Sequence, residues 1–160
     1  MTLPRRLSAA AIACAATLTA SFGLFALAQA AQAQPAAAPL GCTGTPSATW
    51  INVNAEGLKS SQGLLAVTLY ADNPSKFLVR HGSLYVGRVN AVQGTTHACI
   101  FVPRPGVYAL ALYHDENGDR KFDRTGIGFP AEGYGFSNNP ATLAGLPSFR
   151  SVRLTTILTN

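Results

Sequence analysis

The chain has 160 residues, with 12 Lys and Arg against seven Asp and Glu, so its formal net charge is +5. Two of the bases, Arg5 and Arg6, precede a long apolar run at the N-terminus. Without them, ten bases face seven acids, a net charge of +3. Those ten are scattered, and only Arg120 and Lys121 are adjacent. Nucleic-acid binding needs a clustered basic surface, so this charge pattern argues against it.

The N-terminus has the three parts of a secretory signal peptide. After the two arginines comes an apolar run over residues 7–28, then the small-x-small motifs Ala28–Ala30 and Ala31–Ala33, either of which could be the cleavage site. The run is also long enough for a membrane anchor, but its many Ala, Ser and Thr residues favour cleavage. We predict a signal peptide over residues 1–33, export to the periplasm or the cell exterior, and no stable membrane span after cleavage.

A spacer rich in Pro and Ala is predicted over residues 34–47, followed by one domain over residues 48–160. A domain of about 110 residues can form a core without metals or many disulfides. Cys14 would leave with the signal peptide, so Cys42 and Cys99 are the cysteines of the exported chain. An oxidising compartment favours a disulfide between them. The alternative is that Cys99 is a small buried apolar residue.

Short alternating segments separated by Gly, Pro and Asn are typical of an all-β sandwich, and no segment has a convincing helical repeat. Gln93–Thr95 is predicted to be a hairpin turn that pairs the strands on either side of it. Val107–Tyr113 is apolar on both faces, which predicts a strand in the middle of a sheet. The predicted strands are Trp50–Ala55, Leu64–Tyr70, Leu84–Val92, Thr96–Val102, Val107–Tyr113 and Phe149–Leu158, with Ser75–His81 ambiguous.

The segment between the last two predicted strands, residues 115–147, is unusually long for a loop inside a compact domain. It is rich in glycines and aromatic residues, unlike a disordered tail. We therefore predict an ordered flap that lies on the sheet, with tight turns at its glycines. The residues on which this rests are Phe122, Ile127, Phe129, Tyr134 and Phe136, with Gly126, Gly128, Gly133 and Gly135.

Two stretches resemble the signature of a known family. They are Pro-Gly-Val-Tyr-Ala-Leu-Ala-Leu-Tyr-His-Asp-Glu-Asn-Gly at residues 105–118 and Gly-Ile-Gly-Phe-Pro-Ala-Glu-Gly-Tyr-Gly-Phe-Ser-Asn-Asn at residues 126–139. With Pro-Ser-Phe at 147–149, they make the chain similar to the domain-of-unknown-function 2141 family over about residues 48–160. The resemblance implies a secreted or periplasmic bacterial protein with a single immunoglobulin-like or transthyretin-like β-sandwich of about seven strands. It implies no assigned activity.

The acidic start of the long loop has oxygen-bearing side chains at positions one, three, five and nine of a calcium-loop-like pattern. Position six, normally Gly, is Arg120, and position twelve, normally a bidentate Glu, is Gly126. Glu132 could supply a remote carboxylate. The alternative is a metal-free turn in which the same side chains accept backbone N–H groups. The predicted Ca²⁺ ligands are Asp115, Asn117, Asp119, Asp123 and the backbone carbonyl oxygen of Lys121.

Tyr134, Phe136, Asn138 and Asn139 combine aromatic rings with amides, which predicts a binding surface for an envelope glycan or protein. The alternative is that the two rings pack onto the sheet and the two Asn residues cap a turn.

The sequence offers no defensible catalytic site. It has no Gly-x-Ser-x-Gly elbow, and His114 and Asp115, adjacent on a strand, face opposite sides. His81 and His97 lack the spacing of metal ligands. We therefore expect a non-catalytic secreted binding or envelope-associated accessory module without a cofactor. The first alternative is a structural domain stabilised by calcium in the Asp115–Asp123 loop, and the second is a periplasmic enzyme that uses acids of that loop.

Overall fold

The computed structural model describes residue 37, residues 39–143 and residues 145–157. Over these residues seven strands form two sheets, and the helical segments are two short 3-10 turns, Pro74–Lys76 and Phe149–Val152. The all-β sandwich predicted from the sequence is confirmed. The predicted signal peptide lies outside the described residues. The strands are β1 (Trp50–Leu58), β2 (Leu64–Ala71), β3 (Tyr85–Asn90), β4 (Gly94–Phe101), β5 (Gly106–Asp115), β6 (Tyr134–Phe136) and β7 (Arg153–Thr156).

The smaller sheet pairs β1 with β4 in antiparallel register, with Trp50 opposite Phe101. Its strand β1 runs past the expected end at Ala55, because a bulge at Gly57, with φ +82°, lets the chain bend and continue pairing. On the other side of β4, the N–H of Thr43 donates to the Cys99 carbonyl at 2.9 Å. The segment before the domain is thereby held along β4.

A disulfide joins Cys42 to Cys99, with their Cα atoms 4.3 Å apart. The bond closes a loop across a sequence separation of 57 residues. It fixes the beginning of the domain covalently to strand β4, next to the backbone hydrogen bonds of Thr43.

The larger sheet has the order β3-β2-β5-β6, and β7 also pairs with β5. All of these pairs are antiparallel. Because β2 occupies one side of β5, the strands β6 and β7 share the other side. Strand β6 pairs with Ala111–Tyr113 and β7 with Gly106–Ala109. Strand β5 is therefore in the middle of the sheet, as its two apolar faces predict.

The main core lies between the two sheets, where alternate side chains of β2 and β5 meet those of β1 and β4. The hydroxyl of Tyr108, near the start of β5, donates to the Arg104 carbonyl at 2.8 Å. This bond resembles the tyrosine corner of immunoglobulin-like sandwiches. The buried members of this core are Val53, Ala55, Leu58, Leu65, Val67, Leu69, Ala91, Ile100, Val102, Tyr108 and Leu110.

Three expectations about strands are wrong. The strands on either side of Gln93–Thr95 do not form a hairpin, because β3 pairs with β2 and β4 pairs with β1. The long loop is interrupted by β6, which pairs with β5. The last strand begins at Arg153, since Phe149–Val152 forms a 3-10 turn that Ser148 caps by accepting the Ser151 N–H. The ambiguous segment Ser75–His81 contains no strand.

Candidate functional site

The face of the larger sheet that points away from the smaller sheet, which we call the outer face, carries a second cluster of apolar side chains. Ala109 and Ala111 on β5 are small, so rings from the flanking segments pack over them. Phe77, which follows the first 3-10 turn, contacts three other rings there. Its centroid lies 5.1 Å from Tyr70, 5.4 Å from Phe149 and 6.3 Å from Phe136. This cluster covers one end of the outer face.

The other end of the outer face is covered by the long loop. Phe122 is the residue that anchors it, with its ring 5.5 Å from Tyr113 and 6.0 Å from Tyr134. Tyr134 in turn lies 5.9 Å from Phe136, which links this anchor to the Phe77 cluster. Aromatic rings therefore run continuously across the sheet, and three aromatic residues of the predicted flap, Phe122, Tyr134 and Phe136, belong to this row.

Between the Phe77 cluster and the long loop is an open groove, which we call the outer groove, with a volume of about 1150 Å³. Its floor is the outer face, and its walls are the segment after the first 3-10 turn and the tip of the long loop. The lining residues are Thr68, Tyr70, Leu78, Val79, Arg80, Ala111, Leu112, Tyr113, Arg120, Lys121, Phe122, Arg124, Ile127, Gly128, Phe129, Pro130, Tyr134, Phe136, Gly145 and Leu146.

Apolar side chains on the walls of the outer groove are unusually exposed. Ile127 is 83% exposed and Phe129 is 63% exposed at the loop tip, and Val79 and Leu146 also face solvent. The predicted flap therefore lies on the sheet only in part, because Ile127 and Phe129 at its tip face solvent. A short antiparallel bridge between Arg124 and Pro130 holds the tip in this position.

The charged residues that line the outer groove are all basic: Arg80, Arg120, Lys121 and Arg124. Within the described residues none of the four forms a salt bridge with a carboxylate. Arg124 is held in place, because its guanidinium lies 5.1 Å from the Phe122 centroid and donates to the Gly128 carbonyl at 3.0 Å. The sequence alone hides this grouping, since Arg80 is some forty residues before the other three along the chain.

The aromatic residues of the predicted binding surface line the outer groove, whereas its two Asn residues form hydrogen bonds with backbone groups. Tyr134 and Phe136 line the outer groove. Asn138 is held by backbone, with its Nδ2 donating to the carbonyls of Ser151 at 3.1 Å and Arg153 at 2.8 Å. The N–H of Asn139 donates to the Phe136 carbonyl in a tight turn.

The predicted calcium loop is a series of turns closed by its own side chains. Oδ2 of Asp115 accepts the Arg120 N–H at 2.9 Å, Oδ1 of Asn117 accepts the Asp119 N–H at 3.0 Å, and Oδ1 of Asp119 accepts the Lys121 N–H at 2.8 Å. Asn117 Nδ2 also donates to Asp123 Oδ2 at 2.9 Å. These bonds are the ones expected of a metal-free turn.

Arg120 has φ +67°, the left-handed conformation that the Gly at position six of a calcium loop normally supplies. In the sequence, an Arg at this position argues against a calcium loop, but its backbone has the left-handed φ that position six requires. Non-glycine residues rarely adopt this conformation, so the surrounding hydrogen bonds impose it.

Asp115 is the most unusual of the predicted ligands. Its side chain is fully buried, at 0% exposure, and in the described part of the chain its Oδ1 has no hydrogen-bond partner. A side chain at neighbouring Gly63, which has φ +69°, would collide with the Asp115 carbonyl oxygen. A buried carboxylate oxygen without a donor or cation is unfavourable.

Glu132 folds back onto the same loop. Its Oε2 accepts the Asp123 N–H at 3.0 Å, which ties the end of the loop to its middle. Burial raises the pKa of the Glu132 carboxyl, and the charges of Asp123 and Asp115 raise it further, while hydrogen bonds from the N–H groups of Asp123 and Glu116 lower it. The carboxylates of Asp123 and Asp115 therefore repel an ionised Glu132.

No three His, Cys, Asp or Glu side chains cluster closely enough to hold a metal ion among residues 37, 39–143 and 145–157. Amide oxygens such as that of Asn117 and backbone carbonyl oxygens are also ordinary calcium ligands. An ion in this loop would therefore need those oxygens together with Asp115, and would replace some of the hydrogen bonds within the turn.

Comparison with known families identifies the family of the chain and assigns no activity to it. The model of the family described as "Uncharacterized protein conserved in bacteria (DUF2141)" matches residues 53–159. The chain belongs to this family. No curated protein and no solved structure matches it.

The matched region of this member of the domain-of-unknown-function 2141 family contains the outer groove and the acidic loop in full. In the described part of the chain no helix is long and apolar enough to cross a membrane. A smaller cavity of about 270 Å³ lies near the ends of β1 and β6, lined in part by Glu56, His114 and Asn139. Neither hollow is lined by Asp115, Asp119, Asp123 or Glu132, although the loop residue Glu116 lines the smaller cavity.

Two histidines of this family member, His97 and His114, lie within hydrogen-bond distance of other groups of the protein. His114 is 4% exposed, with its Nε2 2.8 Å from the Gln62 carbonyl oxygen, and its Nδ1 lies 3.4 Å from Glu116 Oε1. On β4, Nδ1 of His97 lies 2.7 Å from Asn54 Oδ1 on β1.

Sequence reasoning missed Ser137, which lies inside the predicted binding surface. Its Oγ accepts the Leu110 N–H at 3.0 Å and donates to the Val152 carbonyl. It thus joins the central strand to the turn before β7. The one feature of the sequence that could have indicated the importance of Ser137 is its position between Phe136 and the two Asn residues.

Proposed function

We propose that this protein is an exported, non-catalytic accessory module of the bacterial envelope that binds an envelope component through the outer groove. The observation that carries the proposal is the groove itself, in which exposed apolar side chains stand beside four basic residues. Monomeric proteins rarely leave contiguous apolar surface exposed unless it meets a partner, a membrane or a ligand.

Export is supported by the N-terminal pattern of a charged region, an apolar run and small-x-small motifs. It is also supported by the pairing of Cys42 with Cys99, because disulfides persist in the periplasm and outside the cell. In a reducing cytosol the same pair would remain as thiols.

A binding role without catalysis is supported by where the reactive groups lie. The loop acids are outside the outer groove, and the buried His114 is committed to the Gln62 carbonyl. A hydrolytic site would need an acid, a base or a nucleophile facing the bound molecule. The groove instead offers rings, aliphatic side chains and cations, which are groups suited to recognition.

The test is site-specific photo-crosslinking in the bacterium that encodes the protein. A benzophenone amino acid is placed at Phe129, on the groove wall, and in a matched variant at Val92, which is 54% exposed and lies outside the groove. Irradiation should give a discrete adduct from position 129 and none from position 92. Equal adduct yields from both positions, or no adduct from a folded variant at 129, would overturn the proposed function.

A second candidate function, a calcium-stabilised domain, is favoured by the buried Asp115 Oδ1 that no donor reaches in the described residues. A Ca²⁺ ion beside it would give that oxygen a partner and would offset the repulsion among Asp115, Asp123 and Glu132. In this proposal, Asn117, Asp119 and the Lys121 carbonyl supply the remaining oxygens.

Thermal unfolding with millimolar Ca²⁺ and with a chelator tests this candidate. Ligand binding to the folded state alone raises the melting temperature, so Ca²⁺ should raise it and Mg²⁺ at the same concentration should raise it less. Asp123→Asn, at a half-buried ligand, should reduce the increment, while Asp72→Asn, a carboxylate paired with Arg153 away from the loop, should keep it. A melting temperature unmoved by Ca²⁺ or chelator refutes the ion.

A further inference from the structure

We infer that the ligand of the outer groove is a single anionic amphiphile, a molecule with a negatively charged head and an alkyl tail. The inference rests on the proposed function and specifies the chemistry of what the groove binds. It follows from three features of the lining: the sign of its charges, the nature of its exposed side chains, and its shape.

The charges select an anion. Arg80 projects from one wall and Arg120, Lys121 and Arg124 from the other, with no acidic residue among the lining. Cations from both sides of an open groove add their potentials, which favours a negative group placed between them. Arg guanidinium groups also suit carboxylate and phosphate oxygens, because they donate two parallel hydrogen bonds.

The exposed side chains select an alkyl tail over a sugar. Leu78, Val79, Ile127 and Leu146 are aliphatic, and each leaves at least 39% of its surface exposed. An alkyl chain laid against them would remove apolar surface from water at about 25 cal/mol per Å². No Asn or Gln is among the described residues that line the groove, so it lacks the side-chain amides with which a glycan is usually recognised.

The shape suits one small ligand. The volume of about 1150 Å³ is close to the upper end of the ~300–1000 Å³ that small-molecule sites usually have. The floor is a rigid sheet, and rings of Tyr70, Tyr113 and Phe136 on it offer flat apolar contacts. A tail can lie along this floor while the head lies between Arg80 and the cations of the loop wall.

The experiment is calorimetric titration of the purified protein, expressed with its own N-terminal segment so that the cell processes it. The probes are decyl phosphate, 1-decanol and inorganic phosphate, each below any micelle concentration. Decyl phosphate should bind saturably to one site, and each of the other two should bind at least about tenfold more weakly, because each has only half of the matching chemistry. Decyl phosphate binding should weaken with salt.

Two double variants test the head group and the tail separately. The double variant Arg80→Gln/Lys121→Gln should weaken the binding of decyl phosphate about tenfold and leave that of decanol unchanged, because each change removes one cation. The double variant Ile127→Ser/Phe129→Ser should weaken the binding of both decyl phosphate and decanol. Lys76→Gln and Val92→Ser are exposed controls outside the lining, and neither should change binding. All four variants alter exposed side chains, so their folding is retained and is checked by thermal unfolding.

Decyl phosphate that binds no tighter than decanol, or that loses equal affinity in the Lys76→Gln control, overturns the inference. So does binding only to phosphatidylglycerol vesicles and not to monomeric decyl phosphate, which would identify the face as a membrane contact. If no amphiphile binds but position 129 still crosslinks to a protein in the cell, the proposed function stands and this inference fails. If decyl phosphate binds as expected but position 129 gives no crosslink in the cell, the proposed function fails and this inference stands.

Discussion

The ring of Phe122 lies 5.5 Å from the ring of Tyr113, and this contact holds the long loop against the sheet. Tyr113 is near the end of the central strand β5, just before the acidic turn begins. Phe122 lies near the end of that turn, so the two rings close it on the outer face. The same ring supports Arg124 at 5.1 Å and thus places one cation of the outer groove.

Replacing Phe122 by Ala should detach the loop without unfolding the sandwich. We expect the free energy of unfolding to fall by about 1–2 kcal/mol, because the ring is half-buried and its loss removes two aromatic contacts. Hydrogen exchange of the loop amides should accelerate more than that of β2. Phe129→Ala is the matched control, since its ring is 63% exposed and its loss should leave stability unchanged. Equal losses from both variants would contradict this role.

Ser137→Ala should destabilise the protein more than an ordinary surface substitution. Its hydroxyl oxygen accepts the Leu110 N–H at 3.0 Å and its hydroxyl donates to the Val152 carbonyl. Losing both bonds inside the structure should cost about 1–3 kcal/mol in urea unfolding. Ser60→Ala is the comparison, because Ser60 accepts one exposed hydrogen bond of 3.4 Å. A cost for Ser137→Ala as small as that of Ser60→Ala would refute the assignment.

Much of the sandwich can be predicted from alternation along the chain, because each strand faces two environments. The central position of β5 follows from its two apolar faces. Pairing partners are harder to predict. A turn at Gln93–Thr95 looks like a hairpin, yet β3 and β4 belong to different sheets. The residues of the turn determine that the chain changes direction there, but the packing of distant side chains determines which strands then pair.

The candidate site is less predictable because its parts are distant in sequence. The sequence predicts that Tyr134 and Phe136 lie in a flap on the sheet, but not that they share one face of a strand, β6, which pairs with β5. Arg80 reaches the same groove through the fold of the segment after Phe77, for which the sequence gives no strand or helix pattern. The unpartnered oxygen of Asp115 depends on burial by the folded loop, which spacing alone does not reveal.

Removing the disulfide should lower stability through the unfolded chain. Closing a loop across 57 residues restricts the unfolded ensemble by an amount worth about 4 kcal/mol in the chain-entropy model. The double variant Cys42→Ser/Cys99→Ser should therefore unfold at lower urea concentration than the oxidised protein. Reductant should destabilise the wild type and leave the variant unaffected. An unchanged unfolding midpoint in the double variant would count against a structural role for the bond.

Glu132→Gln should change how stability depends on pH, measured as melting temperature in the presence of a chelator. Burial, followed by the nearby charges of Asp123 and Asp115, raises the pKa of the Glu132 carboxyl in the folded state. The folded protein therefore holds this proton more tightly than the unfolded chain does. The resulting stability is present at pH values below the ordinary pKa of Glu, about 4.3, and is lost as the pH rises through the raised value.

The amide introduced by Glu132→Gln cannot ionise, so the melting temperature of the variant relative to the wild type should rise between about pH 4 and pH 7. Glu56→Gln, which removes an exposed carboxylate on β1, should give a curve parallel to the wild type. The amide also loses part of the capacity to accept the N–H groups of Asp123 and Glu116, so the test is the slope and not the absolute melting temperature. A curve for Glu132→Gln parallel to the wild type would mean that burial and the charges of Asp123 and Asp115 do not raise the pKa of Glu132 in the folded loop.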